Sequence, residues 1–306
     1  YFQTALWPLL TTVGRPCAAP IALAMESQPV LLTMCELAEA HRKLRDESCC
    51  RDQSAQWNNR RLSCFASVRK QLREGDSDST VLSQLLVAVL LLYFLDGFIE
   101  CTNQSASTAS HQAGARAIVH HLGGYSALVG QGHTGTNMLL SEFASADLTR
   151  ALIDDRPPCL PEDVWLTIEQ GTVWWEKETY TGTTLASVFH TMAQMSFYRH
   201  SLAREEQPSM EMCRHFEQAL QPAYLLLSSD QVDSPDTYAM HEQSLEQKLQ
   251  AVSFTRAFQH SALIYLYRAI CGLPARHRLV QQHVQSCAEC VQSIDPNTRS
   301  HNCMIF

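Results

Sequence analysis

The sequence predicts an all-α fold, and three observations carry that expectation. Apolar residues recur at helical spacing, as in Val280, Val284, Cys287, Val291 and Ile294, which follow one another by four, three, four and three. No two alternating β-branched runs are joined by a tight turn, as a sheet would need. Cap residues and helix breakers punctuate the chain at helix-length intervals. With 306 residues, 45% of them hydrophobic, the chain can bury a substantial core. The expected architecture is a single domain over 1–306, made of antiparallel helix pairs around a central apolar helix.

The elements follow in order. Phe2, Leu6, Leu9 and Leu10 make a helical stripe at the front, so Tyr1-Phe2-Gln3 reads as native sequence rather than as a protease-tag scar. Residues 76–80 supply N-caps for a helix reaching about Ile99. It is apolar nearly all round and so belongs at the centre of the core. Thr108 or Ser110 caps the next helix, and Gly123-Gly124 ends it in a left-handed turn. Residues 125–129 read as a short link and 130–136 as a loop.

Pro157 and Pro158 then break the chain. Pro161-Glu162-Asp163 reads as a first helical turn, with acids at the positive end of its dipole. Leu185, Val188, Phe189, Met192 and Met195 mark another helix. Residues 244–271 suit one long helix of about 42 Å at ~1.5 Å per residue. Its stripe of Leu263, Tyr265, Leu266, Ala269 and Ile270 stops at Gly272 and Pro274.

Charge and composition narrow the function classes. The formal net charge is -8 and the pI about 5.9, with no run of lysine and arginine. A surface that tracks phosphates needs a clustered basic footprint, so direct DNA binding by this chain is not expected. The 12 cysteines are scattered through helical segments, a usage that suits a reducing compartment. The longest apolar run, 85–95, is stopped by Asp96 and is too short to span a bilayer.

Three motifs imitate chemistry. Gly130, Gly132 and Gly135 fit GxGxxG, with Asp154 and Asp155 at the expected distance, yet no strand precedes them to form a phosphate-binding turn. Gly124-Tyr125-Ser126 approaches a nucleophile elbow but lacks the closing glycine. His283, Cys287 and Cys290 share a helix face, and His301 or Cys303 could return as a fourth zinc ligand. The apolar stripe already explains Cys287 as core, and a zinc site normally closes with a second spaced pair.

Four segments, in order, resemble one family. They are the alanine-rich YLYRA helix and GLP turn within 257–306; the leucine-rich helix and HxxGAR helix within 65–124; 139–165, a short helix and proline-rich turn before Trp165; and the opening helices of 22–44. Together the chain resembles the fungal-specific transcription factor domain, the regulatory region that follows the DNA-binding head of fungal binuclear zinc-cluster (Zn2Cys6) regulators. The resemblance implies a nuclear, effector-sensing regulatory domain, with regulation of secondary metabolism as one expected setting. It also implies that zinc belongs only to an N-terminal cluster, which needs six thiolates in two close CxxC pairs; Cys287 and Cys290 alone have that spacing here. No cofactor is expected in this part of the protein.

The family pattern runs beyond Phe306, so the domain is read as incomplete at its C-terminus. Expected partners are a small-molecule effector and a protein partner or second copy, with neither DNA nor membrane. The alternative reading is a headless homologue recruited as an enzyme on a fungal metabolite. For the ligand contacts, the residues of choice are Trp174, Trp175, His190 and Tyr198, which bring flat aromatic surface and hydrogen-bonding groups near Met192 and Met195.

Overall fold

The structure is a computed structural model that describes residues 1–10, 18–45, 54–74, 78–99, 105–131, 134–170, 183–202, 207–221 and 245–294. Among these residues every regular element is helical. The chain forms two compact units, residues 1–144 and 145–306.

The first unit is built around the helix that the sequence placed at the centre. Helices α1 (Ile21–Glu26), α2 (Gln28–Arg45) and α3 (Ser54–Glu74) precede it. Helix α4 (Ser79–Phe94) opens on Asp78, whose carboxylate accepts the Thr80 N–H at 2.9 Å. From Gln84 to Phe94 every residue is buried, because α2, α3 and α5 (Ser105–His121) pack against α4. Residues Ser79–Gly97 are long and apolar enough to cross a membrane by length and composition, and 72% of that stretch is buried within the protein.

A π turn, Leu95–Ile99, continues α4 and sets Asp96 into the core. There Asp96 takes an ion pair from Arg61 of α3 and a 2.9 Å hydrogen bond at Oδ2 from His111 Nε2 of α5. Phe65 stacks on the His111 ring at 5.7 Å, and the Arg61 guanidinium lies over Phe65. His111 is thus a core hydrogen-bonding residue in the middle of α5. The helix begins at Ser105, ahead of the expected caps Thr108 and Ser110.

Gly123 and Gly124 end α5 at φ of +91° and +92°, and the Gly124 N–H bonds back to the Val119 carbonyl at 2.9 Å. The expected link at 125–129 is itself helix α6 (Tyr125–Gln131), followed by α7 (Thr134–Ile153). Seven residues after a glycine pair leave room for barely two turns, too few for a periodic apolar signal.

The second unit holds the end of α7, α8 (Val164–Gln170), α9 (Leu185–Ser201), α10 (Met210–Ala219), α11 (Leu245–Tyr265) and α12 (Arg278–Gln292). Buried Asp147 of α7 accepts the Cys159 N–H at 2.6 Å and pairs with Arg156 at 3.2 Å, which folds the Pro157-Pro158 turn back onto its own helix. Helix α8 starts at Val164, so Pro161, Glu162 and Asp163 form the turn before it rather than its first turn. Trp165 stacks on Phe189 at 5.1 Å, and Phe189 meets Phe258, which meets Phe254. This aromatic row joins α8, α9 and α11.

Helix α11 runs into a further π turn, Leu266–Ile270, and then the Gly272-Leu273-Pro274 turn that reverses the chain into α12. Cross-links fix α11 and α12 as an antiparallel pair: Ser253 with Ser293, Ala257 with Cys287, His260 with His283. The face of α12 pressed on α11 therefore carries His283 beside the stripe residue Cys287. Val284, expected in the buried stripe, is 42% exposed, while Val280 and Ile294 at its ends are buried.

Candidate functional site

Among the described residues of the second unit, a set of chemically capable side chains lies along α10, α11 and α12. The two-helix reversal about Gly272 creates it. His260 lies 12 residues before that glycine and His283 lies 11 after it, so an antiparallel hairpin sets them opposite each other. Their Nδ1 atoms are 2.9 Å apart, so one imidazole donates its Nδ1–H and the other, neutral at that nitrogen, accepts. Tyr267 stacks on His283 with ring centres 5.6 Å apart, and its hydroxyl donates to Glu217 Oε1 of α10 at 2.7 Å.

Burial dominates the electrostatics. It pushes the His260 pKa down to about 4, helped by the neighbouring His283 and Arg256 and opposed by Glu289. His283 is lowered for the same first reason, against a raising effect from Glu217. Both rings are thus biased toward the neutral form near pH 7, and their mutual hydrogen bond needs the accepting Nδ1 to be unprotonated. Burial also pushes the Cys290 thiol up, away from the thiolate that nucleophilic attack needs.

Beside the pair, an open groove of about 450 Å³ is lined by Gln221, Ser253, Arg256, His260, Cys290 and Ser293, among others. The Arg256 Nε is buried and has no hydrogen-bond partner. Glu289 also lines the groove, but its Oε1 accepts from Gln285 at 2.8 Å. The groove therefore sets the Arg256 guanidinium and the Glu289 carboxylate among several hydroxyl and amide groups. Its lining offers hydrogen-bond donors and acceptors rather than an apolar wall.

A pH effect follows from the histidine pair. The unfolded chain protonates His260 near its ordinary 6.5, whereas the folded chain resists until about 4. Proton uptake by the unfolded state thus lowers stability as pH falls from 6.5 toward 4. Thermal melts are expected to lose midpoint over that window, and His260→Asn is expected to lose less of it. Equal slopes in the two proteins would remove the pair as the cause.

The residues chosen from sequence are placed differently. Trp174 and Trp175 lie outside the described residues, as do His301 and Cys303. His190 and Tyr198 share α9, both half-buried. Tyr198 accepts the Ser209 N–H at its hydroxyl, 2.7 Å, and sets its ring 5.8 Å from Phe216, so it fastens α9 to the start of α10. His283, Cys287 and Cys290 do share a helix face, but His283 turns to His260, and the Cys287 thiol meets the Ala257 carbonyl at 3.6 Å and Ser261 Oγ at 3.3 Å. Among the described residues no three His, Cys, Asp or Glu side chains gather as a metal site would need.

Of the GxGxxG pattern, Gly130 lies in α6 and Gly135 in α7, while Gly132 lies outside the described residues. A side chain at Gly135 would come within 3.0 Å of the Ala18 carbonyl, so glycine there serves close packing. His260, Arg256 and Glu217 were missed from sequence. The available signal was the symmetry about Gly272, which requires treating the two stripes as one hairpin before asking which residues face.

No curated protein and no solved structure matches this chain. The family model of the fungal specific transcription factor domain matches residues 1–306. With that match over the whole chain and an all-helical fold, the protein belongs to the fungal specific transcription factor domain family.

Proposed function

We propose that this chain is the effector-sensing regulatory region of a fungal zinc-cluster transcription regulator, acting in the nucleus. The match over residues 1–306 carries the reading, since it assigns the chain to transcriptional control. The effector binds at the α11–α12 groove, which Arg256 lines and where His260 offers a neutral imidazole. Regulation is a shift between helix packings, driven by an effector that favours one of them. DNA recognition belongs to the zinc-cluster head and not to this region, whose net charge of -8 repels phosphates.

Fusing residues 1–306 to an unrelated DNA-binding domain is expected to change reporter transcription several-fold in a fungal host. An unchanged reporter would defeat the regulatory reading. With an effector in hand, Arg256→Gln is expected to abolish the response and His190→Ala to leave it intact. The reverse pattern would move the site to α9. By itself the chain is expected to bind duplex DNA no better than an acidic control protein in a mobility-shift titration. Salt-dependent nanomolar binding would contradict this.

A further inference from the structure

Cys213 lies on α10, and Cys271 immediately follows the π turn that ends α11. Their sulfurs are 3.7 Å apart. This contact is one rung of a short ladder. Four residues along each element, the Tyr267 hydroxyl bonds Glu217, and farther on the Gln259 amide donates to the Gln221 carbonyl at 3.2 Å. Numbers rise along α10 and its end as they fall along α11, so the two segments run antiparallel side by side. Backbone register, with a bond on the next turn, holds the two thiols opposite each other. Bonding distance is about 2.04 Å, so closure needs roughly 1.7 Å of relative sulfur movement.

We propose that Cys213 and Cys271 are a redox-responsive pair that closes to an intramolecular disulfide when a low-molecular-weight disulfide, such as oxidised glutathione, accumulates. Cys213 is buried and Cys271 is half-buried, so the oxidant reaches Cys271 first. Its thiolate, after losing a proton to water, attacks one sulfur of the small disulfide and expels one thiolate. The Cys213 thiolate then attacks the Cys271 sulfur, forms the protein disulfide and expels the second. The protein loses two protons and two electrons, and the small disulfide becomes two thiols.

Burial, with Cys213 beside it, pushes the Cys271 pKa up to about 12, so its thiolate is scarce at neutral pH. The pair is therefore slow to react and responds to sustained oxidation rather than to brief pulses. Once closed, the bond ties α10 to the end of α11 across a separation of 58 residues, and any regulatory rearrangement that parts them is blocked.

The experiment uses the whole 306-residue chain. It is incubated with oxidised glutathione, quenched in acid, alkylated and digested for mass spectrometry. The expected product is a peptide pair joined through Cys213 and Cys271. Its rate of formation should rise about tenfold from pH 7 to pH 8. The oxidised chain should melt at a higher temperature, an increase that dithiothreitol reverses and that Cys271→Ser lacks. Should Cys271→Ser fold poorly, Cys213→Ala serves in its place. A glutathione adduct that stays on Cys271 without cross-linking would overturn the proposal. So would an equal rise in melting temperature in the variant.

Discussion

Replacing Asp96 by alanine is expected to destabilise the first unit by about 3–5 kcal/mol, the usual loss when one partner of a buried ion pair is removed. The Asp96 side chain is 1% exposed and receives both the Arg61 guanidinium and the His111 imidazole. Its loss leaves two polar groups from two other helices facing a carboxylate-sized gap. The magnitude comes less from the strength of the pair than from the cost of stranding its partners in low dielectric. Asp96→Asn keeps the shape and an acceptor oxygen, so it should lose less. Urea unfolding followed by tryptophan fluorescence suits the test, since Trp7 is buried in this unit. A shift below about 1 kcal/mol for Asp96→Ala would mean that the pair is solvated in solution, as exposed pairs are.

Leu90→Ala in α4 is expected to cost a similar amount, about 2–5 kcal/mol from lost apolar transfer and the cavity left behind. Leu90 has no exposed surface, and its neighbours along α4 are buried without interruption from Gln84 to Phe94. A helix enclosed on all sides cannot tilt to refill a void without disturbing α2, α3 and α5 together. Leu72 of α3 is 49% exposed, and Leu72→Ala should fall within about 0.5 kcal/mol of the parent. Comparable losses at the two positions would show that α4 is not the central element.

Much of this molecule is legible one helix at a time. The apolar run of α4, the Asp78 cap, the Gly123-Gly124 stop and the reversal at Gly272 rest on local chemistry, and each lies where its residues predict. The expectations that failed were short-range or facial. Seven residues of α6 are too few to show a period, and proline at 161 marked a turn before α8 rather than its start. The stripe on α12 holds at Val280, Cys287 and Ile294, but the packed face turns toward His283 and leaves Val284 exposed.

By itself, then, the sequence determined the helical class, the central helix and the family, because apolar spacing, caps and motifs are properties of neighbouring residues. Tertiary structure alone decided the rest. The division into two units leaves no linker in the composition, because it falls inside α7. The meetings of Asp96 with Arg61, His260 with His283, and Cys213 with Cys271 join residues 35, 23 and 58 positions apart. Such pairings depend on the rotation and register of whole helices, which many distant contacts set together and no local pattern records.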